Sequence, residues 1–217
     1  MATEATKPNI PESFLEHRQV FDKAWVERWT VPNPFIGAIF PLLQGSGVEL
    51  ADITFNKDAA NVGDNYVNFA VTKLNAAIRV GLDHLTFLVG NPDWSMAPQL
   101  VELFDAVSER FKGFIGSSPA TQKLTLAFHV TAGDMSLREK TSHLVNGGRL
   151  GEADFFGISL YRENYSVVID KSMRHDKAAY IRIQRTFDGQ LTFAEIAPQL
   201  YEDEANVLAL LDITGID

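Results

Sequence analysis

The chain has 217 residues, 46% of them hydrophobic and 22% charged, an ordinary balance for a protein with a sizeable core. It contains no cysteine, which excludes disulfides, thiolate catalysis and thiolate-held zinc or iron–sulfur sites and leads us to expect a reducing, cytoplasmic setting. With 28 acidic against 19 basic side chains, the formal charge of −9 opposes attraction to nucleic acid or anionic lipid, and no apolar run approaches the ~18 residues of a membrane span.

Residues 1–11 read as a disordered leader, because their Ala, Thr, Glu, Lys and Pro content has no periodicity with which to bury surface. An N-terminal arm is expected over 12–44, with a first helix from about Pro11 to just before Pro32. Phe14, Phe21, Trp25 and Trp29 follow at spacings of seven, four and four, which would align them on one side of that helix. With Phe35 in the proline-rich segment that follows, they are the interface candidates, since Trp and Phe favour protein contacts. The competing reading makes the same stripe part of the core.

Gln44-Gly-Ser-Gly47 looks like a hinge into a single α+β domain over 45–217. Strands are expected at 48–55, 66–71 and 76–89. Two segments, 86–95 and 124–136, each run from a strand through Gly and Asp to a serine expected to cap a helix, Ser95 and Ser136. The helix after Ser95 carries Leu100, Phe104, Val107 and Phe111 on one side and should stop by Gly113 or Gly116. The helix after Ser136 is shorter and should stop at Asn146-Gly-Gly148. Ser136 with Glu139, and Thr192 with Glu195, fit capping boxes.

Further strands are expected at 155–161, 165–170 and 178–187, with Asp188-Gly189 as a type I′ turn and a last helix around 204–211. The fold class is therefore α+β: an antiparallel or mixed β-sheet with one long and several short helices mainly on one face, plus the N-terminal helical arm.

No phosphate loop, dinucleotide turn, His-Glu-x-x-His pair or nucleophile elbow occurs, so no catalytic residue, metal or cofactor is assigned. Alternation along 124–130 puts His129 on the face away from Leu124, Leu126, Phe128 and Val130. If that face lines a pocket, His129 could join Asp134, His143 or His84 as a metal ligand or acid–base pair. His175-Asp176 falls in a turn and carries no site reading. Arg185 falls on the inward side with Ile181, Ile183 and Phe187, where it needs a carboxylate, carbonyls or an anionic ligand. An internal ion pair or a bulge would satisfy it equally, and the acidic run 202–204 is an available counterweight to the basic strands.

The first functional reading is a non-enzymatic binding or assembly protein, docking on itself or another protein through the aromatic arm and a sheet edge. The alternative is a small-molecule-binding protein or cofactor-independent enzyme whose pocket, between sheet and long helix, contains His129 or Arg185.

Overall fold

The computed structural model describes residues 9–25, 33–57, 62–131 and 157–213. Nine strands form one sheet: β1 (Asn9–Val20), β2 (Ile53–Asn56), β3 (Tyr66–Val71), β4 (Ala76–Val80), β5 (His84–Gly90), β6 (Thr121–Thr131), β7 (Ile158–Arg162), β8 (Tyr165–Lys171) and β9 (Ala178–Asp188). Among the described residues three α-helices accompany them: α1 (Asn33–Leu43), α2 (Ala97–Ile115) and α3 (Phe193–Leu210). The strand order is β2-β3-β4-β5-β1-β6-β9-β8-β7, with antiparallel ladders from β2 through β5 to β1 and from β7 through β8 to β9. The α+β class and the antiparallel sheet agree with the sequence reading.

The N-terminal helix does not. Residues 9–20 form a strand that pairs with β5 from Phe14↔Gly90 to Val20↔His84. Its alternation runs through Leu15, His17 and Gln19, all buried, and two of those three are polar, so hydrophobicity alone conceals the period of two. The aromatic spacing is helical only by coincidence. Phe14 lies on the outer face, 38% exposed, whereas Phe21 and Trp25 pack edge-on against Phe111 of α2. Helix comes later, as α1, in which Phe35, Ile39 and Leu43 recur every fourth residue and are fully buried. Phe35 therefore belongs to the core. Trp29, and the expected features at Asp134, Ser136, Glu139, His143 and Asn146-Gly-Gly148, lie outside the described residues.

The chain divides into two compact units, one comprising Phe14–Leu124 and Thr186–Ala197, the other Met1–Ser13, Thr125–Arg185 and Pro198–Asp217. In the first, Phe69, Ile78 and Phe87 on one sheet face are fully buried, and Phe87 stacks on Phe104 of α2 at 4.3 Å. The opposite face carries the half-buried, polar alternates Tyr66, Asn68 and Arg79. In the second, Leu126, Phe128, Val130, Val167, Ile169, Ile181 and Ile183 are buried, as are Leu200 and Val207 of α3.

Local chemistry sets the boundaries. Of the strand expected at 48–55 only residues 53–55 fall in β2, because Glu49 and Asp52 close a reciprocal capping box around a short 3-10 turn, Leu50–Asp52. The stretch 76–89 breaks into β4 and β5 at Gly81, where a Cβ would stand 2.1 Å from the His84 ring. Ser95 does not cap α2: Asp93 accepts from the Ser95 amide and caps a 3-10 turn, Trp94–Met96, from which α2 continues with no side-chain cap of its own. Gly116 ends α2 in the left-handed conformation at φ 73°, as expected of a C-terminal glycine. Asp188-Gly189 is not a hairpin turn: Gly189 is absent from the positive-φ glycines, and the chain proceeds into α3. Glycine is needed there because a Cβ would stand 1.8 Å from the Pro119 carbonyl oxygen.

Candidate metal centre

The second unit gathers Glu12, His129 and His175 on one site. Glu12 comes from β1, whose even-numbered residues share a face. His129 comes from β6, on the face that alternation assigns it, opposite Phe128 and Val130, and the residue is 8% exposed. His175 sits in the turn between β8 and β9. One ligand atom from each lies within 4.8 Å of the other two, the only such group among the described residues. His175 Nε2 is 3.1 Å and His129 Nε2 3.9 Å from Glu12 Oε2. A tetrahedral zinc ion with bonds near 2.0–2.1 Å holds its ligand atoms about 3.4 Å apart, so the measured spacings straddle the required value.

Ser172 organises the two histidines. Its buried Oγ accepts from the main-chain N–H of Arg174 at 3.1 Å and of His175 at 2.8 Å, which folds the turn back over β8. The same oxygen is 2.9 Å from His129 Nδ1, so the ring is fixed with Nε2 towards Glu12. The two main-chain N–H groups fill both acceptor positions of the Ser172 oxygen, so in the free protein its hydroxyl donates to Nδ1; metal binding at Nε2 requires the ring proton to move to Nδ1, with Ser172 Oγ giving up or sharing one main-chain bond. The His129 ring is further bracketed by His175 and Tyr180, with ring centres at 4.9 and 5.2 Å.

The electrostatics prepare deprotonated ligands. Glu12 is held below the usual carboxylate range, first by its hydrogen bond from His175 and then by the charge of Arg174, against the opposing effect of burial. Burial lowers the His129 pKa, an effect that Glu12 opposes and the neighbouring His175 and Arg174 reinforce. A neutral imidazole and an ionised carboxylate are the forms that bind metal. Three such ligands would leave a fourth position open to water, whose pKa a bound zinc ion would lower to about 7.

The other sequence candidates separate from this site. Arg185 forms an ion pair with Asp203 of α3, through Nε and, at 2.7 Å, through Nη2, and its guanidinium lies 4.4 Å above the Tyr165 ring. Asp203 is 2% exposed, so this pair satisfies the inward arginine inside the fold. His84 belongs to the first unit, where Nδ1 is bonded to Asp83 at 2.8 Å. Sequence reasoning missed Glu12 and His175. Glu12 is concealed by reading β1 as leader and helix, and His175 was placed correctly in a turn but given no partner. Among the described residues no helix is long and apolar enough to cross a membrane. The chain matches no protein-family model and no curated protein.

Proposed function

We propose that the protein binds a divalent transition metal of the zinc type through Glu12 Oε2, His129 Nε2 and His175 Nε2. The observation that carries this reading is the convergence of two imidazole nitrogens and one carboxylate oxygen within 4.8 Å. Mixed nitrogen and oxygen donors suit zinc and its neighbours better than magnesium or calcium, which prefer oxygen alone. An open fourth position makes the ion available to a small molecule, in keeping with the ligand-binding alternative read from His129.

Calorimetric titration of the chelator-stripped, full-length protein with zinc tests this. One equivalent should bind, His129→Ala and His175→Ala should each weaken binding about 100-fold or more with the fold intact by circular dichroism, and affinity should fall as the pH is lowered and protons compete for the ligand atoms. Absence of binding by the wild type, or unchanged affinity in both variants, overturns the reading.

A second reading, self-association, is favoured by β7. It lies at the end of the sheet order, and Leu160 and Tyr161 on its two faces are 46% and 74% exposed. Of the arm's aromatic residues, Phe21 and Phe35 are core and Phe14 is 38% exposed.

A further inference from the structure

The polar face of the sheet in the first unit holds a cavity of about 340 Å3, floored by β1, β3, β4 and β5 and walled by residues 63–65. The register fixes its floor. Arg18 pairs with Thr86, Thr86 with Arg79, and Arg79 with Asn68, so one transverse row across four strands reads arginine, threonine, arginine, asparagine. Directly opposed residues of antiparallel strands point to the same side, and strands lie about 4.8 Å apart, so the two arginines start about 10 Å apart with the threonine between them.

The two cations are held differently. Arg79 is fixed: its Nε donates to Asn68 Oδ1 at 3.1 Å and its guanidinium lies 5.0 Å above the Tyr66 ring. Arg18 is not: its Nε is buried and has no hydrogen-bond partner among the described residues. A charged N–H withdrawn from water without an acceptor is costly, and a bound acceptor removes that cost. Thr86, only 7% exposed, stands between the two arginines in the row.

We infer that this cavity, which the amide side chains Asn56 and Asn65 also line, binds a small, hydroxyl-rich carboxylate, its carboxyl group held between Arg18 and Arg79 and accepting from the Thr86 hydroxyl. Planar guanidinium groups match a carboxylate's two oxygens. Glu16 and Asp64 also line the cavity, so two cations stand against two carboxylates. The lining therefore has no net positive charge to offset a dianion, which favours a singly charged carboxylate over doubly charged phosphate. The inference is independent of the Glu12–His129–His175 reading.

Nitrogen-15 NMR of the arginine Nε–H groups in the full chain tests it, with D-gluconate and inorganic phosphate as probes and sodium chloride at matched ionic strength as control. The Arg18 resonance is identified by its loss in Arg18→Lys. Gluconate should shift the Arg18 and Arg79 signals saturably, phosphate should bind at least about 5-fold more weakly, and Thr86→Val should weaken gluconate binding about 10-fold while the rest of the spectrum is preserved. Gluconate shifts no larger than those from sodium chloride overturn the inference. So do phosphate binding as tight as gluconate and gluconate affinity unchanged in both variants.

Discussion

His17 sets the pH response of the core. It is fully buried, with the rings of Phe87 and Phe193 at 5.5 and 5.0 Å and Gln122 Oε1 at 2.7 Å from Nε2. Gln122 is itself anchored, donating to the carbonyls of Asp188 and Leu191, so the ring has a hydrogen-bond partner but no counter-charge. Burial pushes the His17 pKa down to about 4, against the hydrogen bond to Gln122, which raises it. The folded value lies below the unfolded one, so the unfolded chain binds more protons between them. The stability is complete above about pH 6.5 and is lost as the pH falls from there towards 4, by about 2 kcal/mol between pH 7 and pH 5. Urea denaturation at those two pH values should show this loss in the wild type and a smaller one in His17→Phe, and equal losses would mean that another group controls the slope. The polar residues also show what single positions disclose in advance. Alternation located the faces of His129 and Arg185, because period two needs only neighbours in the chain. It could not supply Glu12 for His175, 163 residues away, since only strand order brings them together. For Arg185 the partner was in view, because 202–204 is a conspicuous acidic run, and Asp203 is its middle member.

Elements were legible where one local signal dominated. The four apolar positions of α2 and the glycine that ends it, the extents of β3, β8 and β9, and the Thr192–Glu195 box all rest on contacts within a few residues. β1 was misread because its buried positions include His17 and Gln19, and its pairing with β5 overrides an aromatic spacing that suits a helix. The start of α3 shows local and distant control acting together. Thr192 and Glu195 bond reciprocally, but Asp105 of α2 also accepts from the amides of Phe193 at 2.7 Å and Ala194 at 3.2 Å. A carboxylate on two free amides at a helix N-terminus gains from both hydrogen bonding and the helix dipole. Asp105→Ala should therefore cost about 1–2 kcal/mol in urea denaturation and Thr192→Ala about half as much, its hydroxyl reaching the Glu195 amide only at 3.3 Å. The reverse order would mean that the capping box alone defines the helix start.

At the scale of the whole chain, charge and sheet edge oppose each other in self-association. A formal charge of −9 on each copy makes two copies repel, over a Debye length of about 30 Å at 0.01 M salt but only about 8 Å at 0.15 M. Against that stands β7, paired among the described residues with β8 alone, with Ser159 through Arg162 exposed. An end strand presents unpaired main-chain groups that a second copy can meet across a two-fold axis. If β7 is the contact, sedimentation should show association that tightens as salt rises, the opposite of an interface built from ion pairs. Leu160→Lys separates the two influences. It lowers the net charge and so eases repulsion, which by itself predicts tighter association. It also places an ammonium on the edge strand, the device by which sheet proteins resist pairing, and this predicts weaker association. We expect the edge to win, because a charge carried into the contact acts at a few ångströms while the net charge is screened. Tighter association of Leu160→Lys, or a wild type that stays monomeric at high salt, would remove β7 as the contact.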